Sequence, residues 1–418
     1  MEAQLYMPQT LKRIKDSLRQ CDLTPLYLVG LAILLTVSCL TTTKMKWLRV
    51  SGISLTEYFD LVCFVGVMLV YGYAALCGRY RWWELAAITV VIAAAAYSAH
   101  VSQNHIILWM AAAVVCARGI PMNRVAGLYI IVNCALLFLA FVLVREGWIK
   151  HVVITSGGAK RYALGTLHPN NLGAHIFFLC ATLSYLHRER LGVLDICIDL
   201  AAIAFCYLVP RSRGAMIVTG MLLVATIVWV IWRHRSKARQ RLSSTPTSRW
   251  FTIAMGSIPL ICASVSMWFA VRFDAANPQH ALFDHLLSYR LTLGSMALDM
   301  YPIQPLGQYL ALHQQVGYFA DFTVDNWYLR SLLELGYITL AAAIVAILAA
   351  DYRAARCGDR WLPVLLAIIS VYGLTEAFIL HLAYNVFLVT AFAELEQRQS
   401  TNCSNGHLLQ PTSKAKHR

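Results

Sequence analysis

Three separated stretches of this sequence carry arginine beside small polar residues. Lys160 and Arg161 open the run KRYALGTLHPNNLGAH, which continues through His168, Asn170 and Asn171. Arg211 and Arg213 stand in VPRSRGA, and Arg290 stands in HLLSYRLTLG. An arginine fork binds phosphate oxygens in pairs and keeps its proton at any biological pH. Several forks set around a diphosphate would stabilise the negative charge that grows as the diphosphate departs, which is electrostatic catalysis of group transfer. Downstream, His313, Asp321, Asp325 and Asn326 add polar candidates, and Glu376 sits inside an otherwise apolar run. A carboxyl group at membrane depth is costly and points to function by default.

Each residue also has a plainer role open to it. Lys160 with Arg161 fits an interfacial pair that snorkels to the headgroups. His168 before Pro169 fits the cap of a helix, since proline suits a first helical turn. Arg290 in a folded loop fits a salt bridge, His313 an ordinary loop residue, and Glu376 a structural pair with a neighbouring helix. Arg211 and Arg213 are harder to explain this way, because a cation at a helix start opposes the dipole.

The elements that must position these groups follow from composition. Of 418 residues, 59% are hydrophobic and only 13% are charged. Soluble domains carry roughly a quarter charged residues, so the long apolar runs point to an integral membrane protein. The expected class is all-α and polytopic, with about twelve spanning helices (ten to thirteen) of ~20 residues each. The runs lie at residues 24–42, 59–77, 83–99, 105–117, 123–144, 171–187, 191–209, 214–232, 251–271, 327–350, 361–379 and 381–395. The fourth and the last are short enough to be re-entrant. The start MEAQLYMPQTLKRIKDSLRQ is polar and basic, so no cleavable signal peptide is expected. The 12 cysteines show no CxxC spacing and read as small buried side chains, not as disulfides or metal ligands.

Net charge is +14. Cytoplasmic loops of membrane proteins collect Lys and Arg, so a bilayer partner explains the charge and nucleic acid is not needed. Lys12, Arg13, Lys15 and Arg19 predict a cytoplasmic N-terminal segment (1–23). Arg188, Arg190, the run RHRSKARQR (Arg233–Arg241), Arg353, Arg356, Arg360 and the tail at 396–418 fall on the same side. The first outer loop, with Lys44, Lys46 and Arg49, is an exception. The remaining divisions are a membrane region of nine spans (24–271), a large outward loop (272–326) and the C-terminal spans (327–395). That loop is rich in His, Asp and Tyr, so it reads as folded and functional. All three arginine-bearing segments then meet at the outer face, where the positive-inside rule disfavours them.

At these residues the chain resembles the superfamily of bacterial O-antigen ligases and polysaccharide repeat-unit polymerases. Arg161-Tyr162-Ala163-Leu164-Gly165 with His168-Pro169-Asn170-Asn171-Leu172-Gly173 resembles the first arginine motif, and Ser212-Arg213-Gly214 resembles the second. Tyr289-Arg290 resembles the arginine opening the large loop, and Gly307 the glycine near its middle. Asp325-Asn326-Trp327-Tyr328-Leu329, followed by Leu335-Gly336-Tyr337, resembles the entry to the next span. The ordered set covers residues 123–350. Ligases of this superfamily usually carry a histidine directly before that asparagine; Asp325 holds the position here, which favours the polymerase branch.

The resemblance implies a glycosyltransferase of a bacterial cytoplasmic membrane. It would move a growing glycan from an undecaprenyl-diphosphate-linked oligosaccharide to a sugar hydroxyl of a new repeat unit, alongside a flippase and a chain-length regulator. Arg161, Arg213 and Arg290 would contact the diphosphate. His168, Asp325, His313 and Glu376 are candidate bases. Lys160, Asn170, Asn171, Arg211, Asn326 and Tyr328 would line the substrate site. No cofactor or metal is implied, and the Asp-x-Asp of metal-dependent nucleotide-sugar enzymes does not occur. Tyr289, Tyr301, Tyr309, Tyr318 and Trp327 are candidates to stack on sugars, although core packing is the commoner role for such aromatics. A ligase, a lipid-linked glycan transporter and a non-catalytic scaffold are the alternatives. The product implied is a surface polysaccharide: a capsule, an exopolysaccharide or O-antigen.

Overall fold

An apolar run in hydrocarbon has no water to bond its peptide groups, so helix is the default where the run is long enough. The computed structural model describes residues 22–396 apart from 51, 157, 239–248, 275 and 317–321. In chain order it begins with α1 (Thr24–Thr41), a two-strand ribbon β1–β2 (Arg49–Val50, Ile53–Ser54), α2 (Leu55–Leu76), α3 (Trp82–Ser102), α4 (Ile106–Val115) and α5 (Met122–Arg145). An antiparallel hairpin β3–β4 (Val153–Ser156, Ala159–Tyr162) follows, then α6 (Pro169–Leu186), α7 (Val193–Leu208), α8 (Arg213–Ala238) and α9 (Arg249–Arg272). The last helices are α10 (Pro278–Leu286), α11 (Arg290–Met300), the short α12 (Trp327–Arg330), α13 (Tyr337–Arg356) and α14 (Trp361–Tyr372).

Among the described residues, seven of these helices are long and apolar enough to cross a membrane: α1, α2, α3, α5, α8, α9 and α13. The chain is therefore a mainly helical, membrane-embedded protein. Of the other expected spans, α4, α7 and α14 are shorter than a bilayer needs, and α6 spends its first turn on the polar residues Asn170 and Asn171.

Two expected spans fold otherwise. The run at 327–350 does not start a continuous helix at Trp327. Residues Ser331–Leu335 form a π turn, and Gly336 at φ +89° breaks the chain before α13. The cause is a backbone stitch from the large loop: Gln308 N–H donates to Glu334 O at 3.0 Å, and Ile338 N–H to Pro305 O at 3.2 Å. A Cβ on Gly336 would stand 2.3 Å from Pro305 O, and one on Gly307 2.1 Å from Glu334 O. The two glycines thus require each other.

The run at 381–395 is not an α-helix; it holds only a short 3-10 turn at Phe387–Ala391. It is nevertheless buried almost throughout. Irregular backbone survives at membrane depth only when protein groups satisfy it, and here they do. The Tyr129 hydroxyl bonds Ala383 O and Tyr384 O, and Ser38 Oγ accepts from Ala383 N. Arg353 donates to Thr390 O at 2.7 Å and Ala393 O at 2.6 Å. The segment is a buried irregular stretch in the core of the bundle, walled by α1, α5 and α13.

The described residues of the segment 272–326 include regular structure. The segment contains α10 and α11, and α11 packs on α9 over a small core that includes Leu293, Ala297, Phe322 and Leu333. Asp321 and Tyr318 lie outside the described residues, as do the cations expected at both termini and part of the Arg233–Arg241 run. The exceptional Lys44 and Lys46 sit 4.2 and 4.5 Å over the exposed Trp47 ring. That is a cation–π arrangement typical of interfacial anchoring. The ten described cysteines are free and mostly buried.

Candidate functional site

The arginine-bearing segments converge at one end of the bundle. β3–β4 is tied to the end of α7 by Tyr162 N–H donating to Val209 O at 3.0 Å. That fixes Arg161, whose Nε donates to Pro210 O at 3.0 Å. The α6 helix begins beneath it. Its cap is His168, whose Nδ1 accepts from Asn170 N–H at 3.1 Å, with Pro169 in the first turn. Gly173 lets α6 lie against the start of α8, since a Cβ there would meet Ser212 Cβ at 2.8 Å. This close approach brings Arg213, the first residue of α8, beside Asn170. Arg211 precedes it with φ +49°, a left-handed conformation that costs energy in a non-glycine residue.

Arg290 arrives from the large loop. Ser288 and Tyr289 are both left-handed (φ 57° and 63°) and turn the chain sharply into α11. The buried Asp284 carboxylate caps this helix: it accepts from Leu291 N–H at 2.8 Å, from Thr292 N–H at 3.2 Å and from the Thr292 hydroxyl. Arg290 Nη2 then reaches Glu376 Oε1 at 3.0 Å and Asp325 Oδ2 at 3.4 Å. Glu376 also accepts from Asn170 Nδ2 at 3.1 Å, while the Asn170 carbonyl accepts from Arg161 Nη2. Asn170 is therefore a bridge between an arginine and a buried carboxylate.

A cavity of about 520 Å³ opens among these groups, lined by Arg161, Asn170, Arg211, Arg213, Arg290 and Glu376 with Tyr207 and Ser288 on its walls. Its charge is unbalanced. Four guanidinium groups and the Glu376 carboxylate line it, and Asp325, outside the lining, is the second carboxylate paired with Arg290. Among the described residues neither Arg211 nor Arg213 has a carboxylate partner. Burial pushes the Arg161 guanidinium below its ordinary value; Glu376 opposes that, and Arg213 and Arg290 reinforce it. Burial pulls Arg290 the same way, but Glu376 and Asp325 outweigh it and leave Arg290 above its ordinary value. An anionic group entering such a cavity would meet a net positive lining.

The other expected site residues fall into two groups. Asn326 and Tyr328 are ties and not cavity walls. Asn326 caps α12 and donates to Ser266 Oγ at 2.9 Å, and the buried Tyr328 hydroxyl donates to Ser370 O at 2.9 Å. With Trp327 N–H donating to Gly373 O, they hold Asp325 and the Glu376 turn in one frame. Lys160 and His313 are exposed and do not line the cavity, and neither does the half-buried Asn171. Asp284 and Tyr207 were not anticipated. No family model, curated protein or solved structure matches this chain.

Proposed function

We propose that this protein is a membrane glycosyltransferase that polymerises lipid-linked oligosaccharide repeat units at the outer face of a bacterial cytoplasmic membrane. The donor is a glycan on an undecaprenyl diphosphate, and the acceptor is a sugar hydroxyl of another lipid-linked unit. The observation that supports this reading is the meeting of Arg161, Arg211, Arg213 and Arg290, from three distant segments, around one cavity with uncompensated positive charge. A departing diphosphate supplies the missing negative charge.

In this reading the acceptor oxygen attacks the anomeric carbon, and the bond from that carbon to the diphosphate oxygen breaks. The diphosphate leaves with the electron pair and is stabilised by Arg213 and Arg161. The hydroxyl proton passes to Asp325, whose side chain is 37% exposed, against 4% for Glu376. Glu376 is committed to Arg290 and Asn170, so it acts as a positioning residue that aims the arginines. Asp325 here stands where ligases of the resembling superfamily carry histidine, which favours polymerase over ligase.

The test is the size distribution of lipid-linked glycan in cells lacking the protein and in cells carrying Arg213→Ala at normal protein level. Single repeat units in both strains are expected. Long lipid-linked polymer that never reaches its acceptor would make the protein a ligase. Repeat units trapped on the inner leaflet would make it a transporter. Unchanged glycan in both strains would remove the reading.

A further inference from the structure

The helices α8 and α9 are consecutive in the chain, yet they barely touch; both pack on α14 instead. The space between them is a cleft of about 1170 Å³ whose back wall is α14. Apart from Arg360, its walls are apolar or aromatic, with Met221, Val224 and Met255 along the sides. It starts at Ile217, the residue after Met216, and Met216 lines the arginine cavity. It ends at Trp229, Trp232 and Trp361, whose rings lie 5.3 Å apart in successive pairs, with Arg360 over Trp232. From Ile217 to Trp232 the helical rise gives a length of roughly 22 Å, most of a hydrocarbon core of about 30 Å.

One residue in the cleft has no packing explanation. Gly220 lies in the interior of α8, where glycine is less stable than alanine. A Cβ there would meet nothing within 4 Å, so no neighbouring helix demands the missing side chain. What the glycine does is deepen the cleft one turn from its end nearest the arginine cavity.

We infer that the cleft between α8 and α9 holds the proximal isoprenoid units of a polyprenyl diphosphate whose head occupies the arginine cavity. This rests on the lipid-diphosphate reading above. Two features choose this occupant over a bilayer phospholipid. The head cavity carries an excess of two positive charges, which a diphosphate matches and a zwitterionic headgroup does not. The apolar cleft also begins one residue along α8 from that cavity, Ile217 after Met216, so head and tail of a single-chain amphiphile can follow one helix. Tail binding in the cleft would orient the diphosphate, so that donors with a truncated tail lose affinity.

The test uses full-length protein in nanodiscs of a neutral phospholipid. The probe is a polyprenyl diphosphate with a photoreactive group on a proximal isoprene. Labelling is expected on the α8 and α9 segments containing Met221 and Met255, and unlabelled polyprenyl diphosphate should compete it away. Gly220→Trp fills open space and should cut that labelling roughly tenfold, the scale of a lost patch of dispersion contacts; Gly220→Ala should retain it. Binding of inorganic diphosphate by Gly220→Trp confirms that the variant is folded. Labelling spread over other lipid-facing helices, or indifferent to competitor and to Gly220→Trp, would overturn the inference and leave the cleft to bilayer lipid. Cleft labelling by a protein with no glycan transfer would keep the inference and remove the transferase reading instead.

Discussion

Arg213 and Arg290 line the same cavity, but removing them should have opposite effects on the fold. Arg213 has no carboxylate partner among the described residues and stands at a helix start, where its charge opposes the dipole. Arg213→Ala should therefore leave the melting temperature unchanged or raised, while transfer falls by about 10²–10³, the usual loss for one electrostatic donor. A matching loss of stability would mean that Arg213 is structural. Arg290 is different, because its loss strands the buried Glu376. Arg290→Ala should destabilise by about 3 kcal/mol or more, as for other broken buried pairs. Adding Glu376→Gln should restore stability in a thermal melt without restoring transfer. If the double variant melts as low as the single one, the ion pair is not what Arg290 contributes to folding. The arginines and Glu376 were legible because their types conflict with the apolar sequence around them. Asp284 was not, since it caps α11 across two left-handed residues and so leaves no capping-box spacing. Asn326 and Tyr328 signalled importance, but residue type alone does not separate a ligand from a tie.

At the scale of elements, hydropathy found the long spans, because seven of them satisfy their own backbone. It failed where satisfaction comes from elsewhere. The segment at 381–395 has the composition of a span, but its peptide groups are bonded by Tyr129, Ser38 and Arg353, which lie far away in sequence. The break before α13 was hidden in the same way, because its cause is the loop segment around Gly307. That contact predicts the effect of adding one methyl group. Gly336→Ala would force a Cβ to 2.3 Å from Pro305 O at a φ of +89°. Both the clash and the left-handed strain must be relieved, at a cost of at least about 1–3 kcal/mol. The large loop should then detach from α13, raising proteolysis between residues 300 and 316. Ala substituted at Gly220, in open space, is the control and should be neutral or stabilising. Equal protease resistance in the two variants would show that the glycine pair does not hold the loop.

For the whole molecule, the decisive question is which way the cavity faces. The α8 helix carries Arg213 at the cavity and Arg233 with Arg235 at its other end, so its own charges do not choose a direction. The span Arg213–Arg235 has 23 residues, or roughly 34 Å of helix, enough to put those ends on opposite sides of the bilayer. The choice comes from the rest of the chain. The end away from the cavity also gathers Arg188, Arg190, Arg353, Arg356 and Arg360. Arg188 alone is buried there, against Asp359 at 3.2 Å and Glu396 at 3.0 Å. By the positive-inside rule that end is expected in the cytoplasm, and the proposed function requires the cavity to open outward. Cysteine placed at Lys160, on the exposed hairpin, should react with a membrane-impermeant maleimide in intact cells. Cysteine at Arg235 should react only after permeabilisation, in a background where the exposed Cys134 and Cys197 are serine. The reverse pattern would turn the cavity toward the cytoplasm. It would then face the pool of nucleotide-activated sugars and not finished repeat units, and polymerisation at the outer face would be physically impossible for this site.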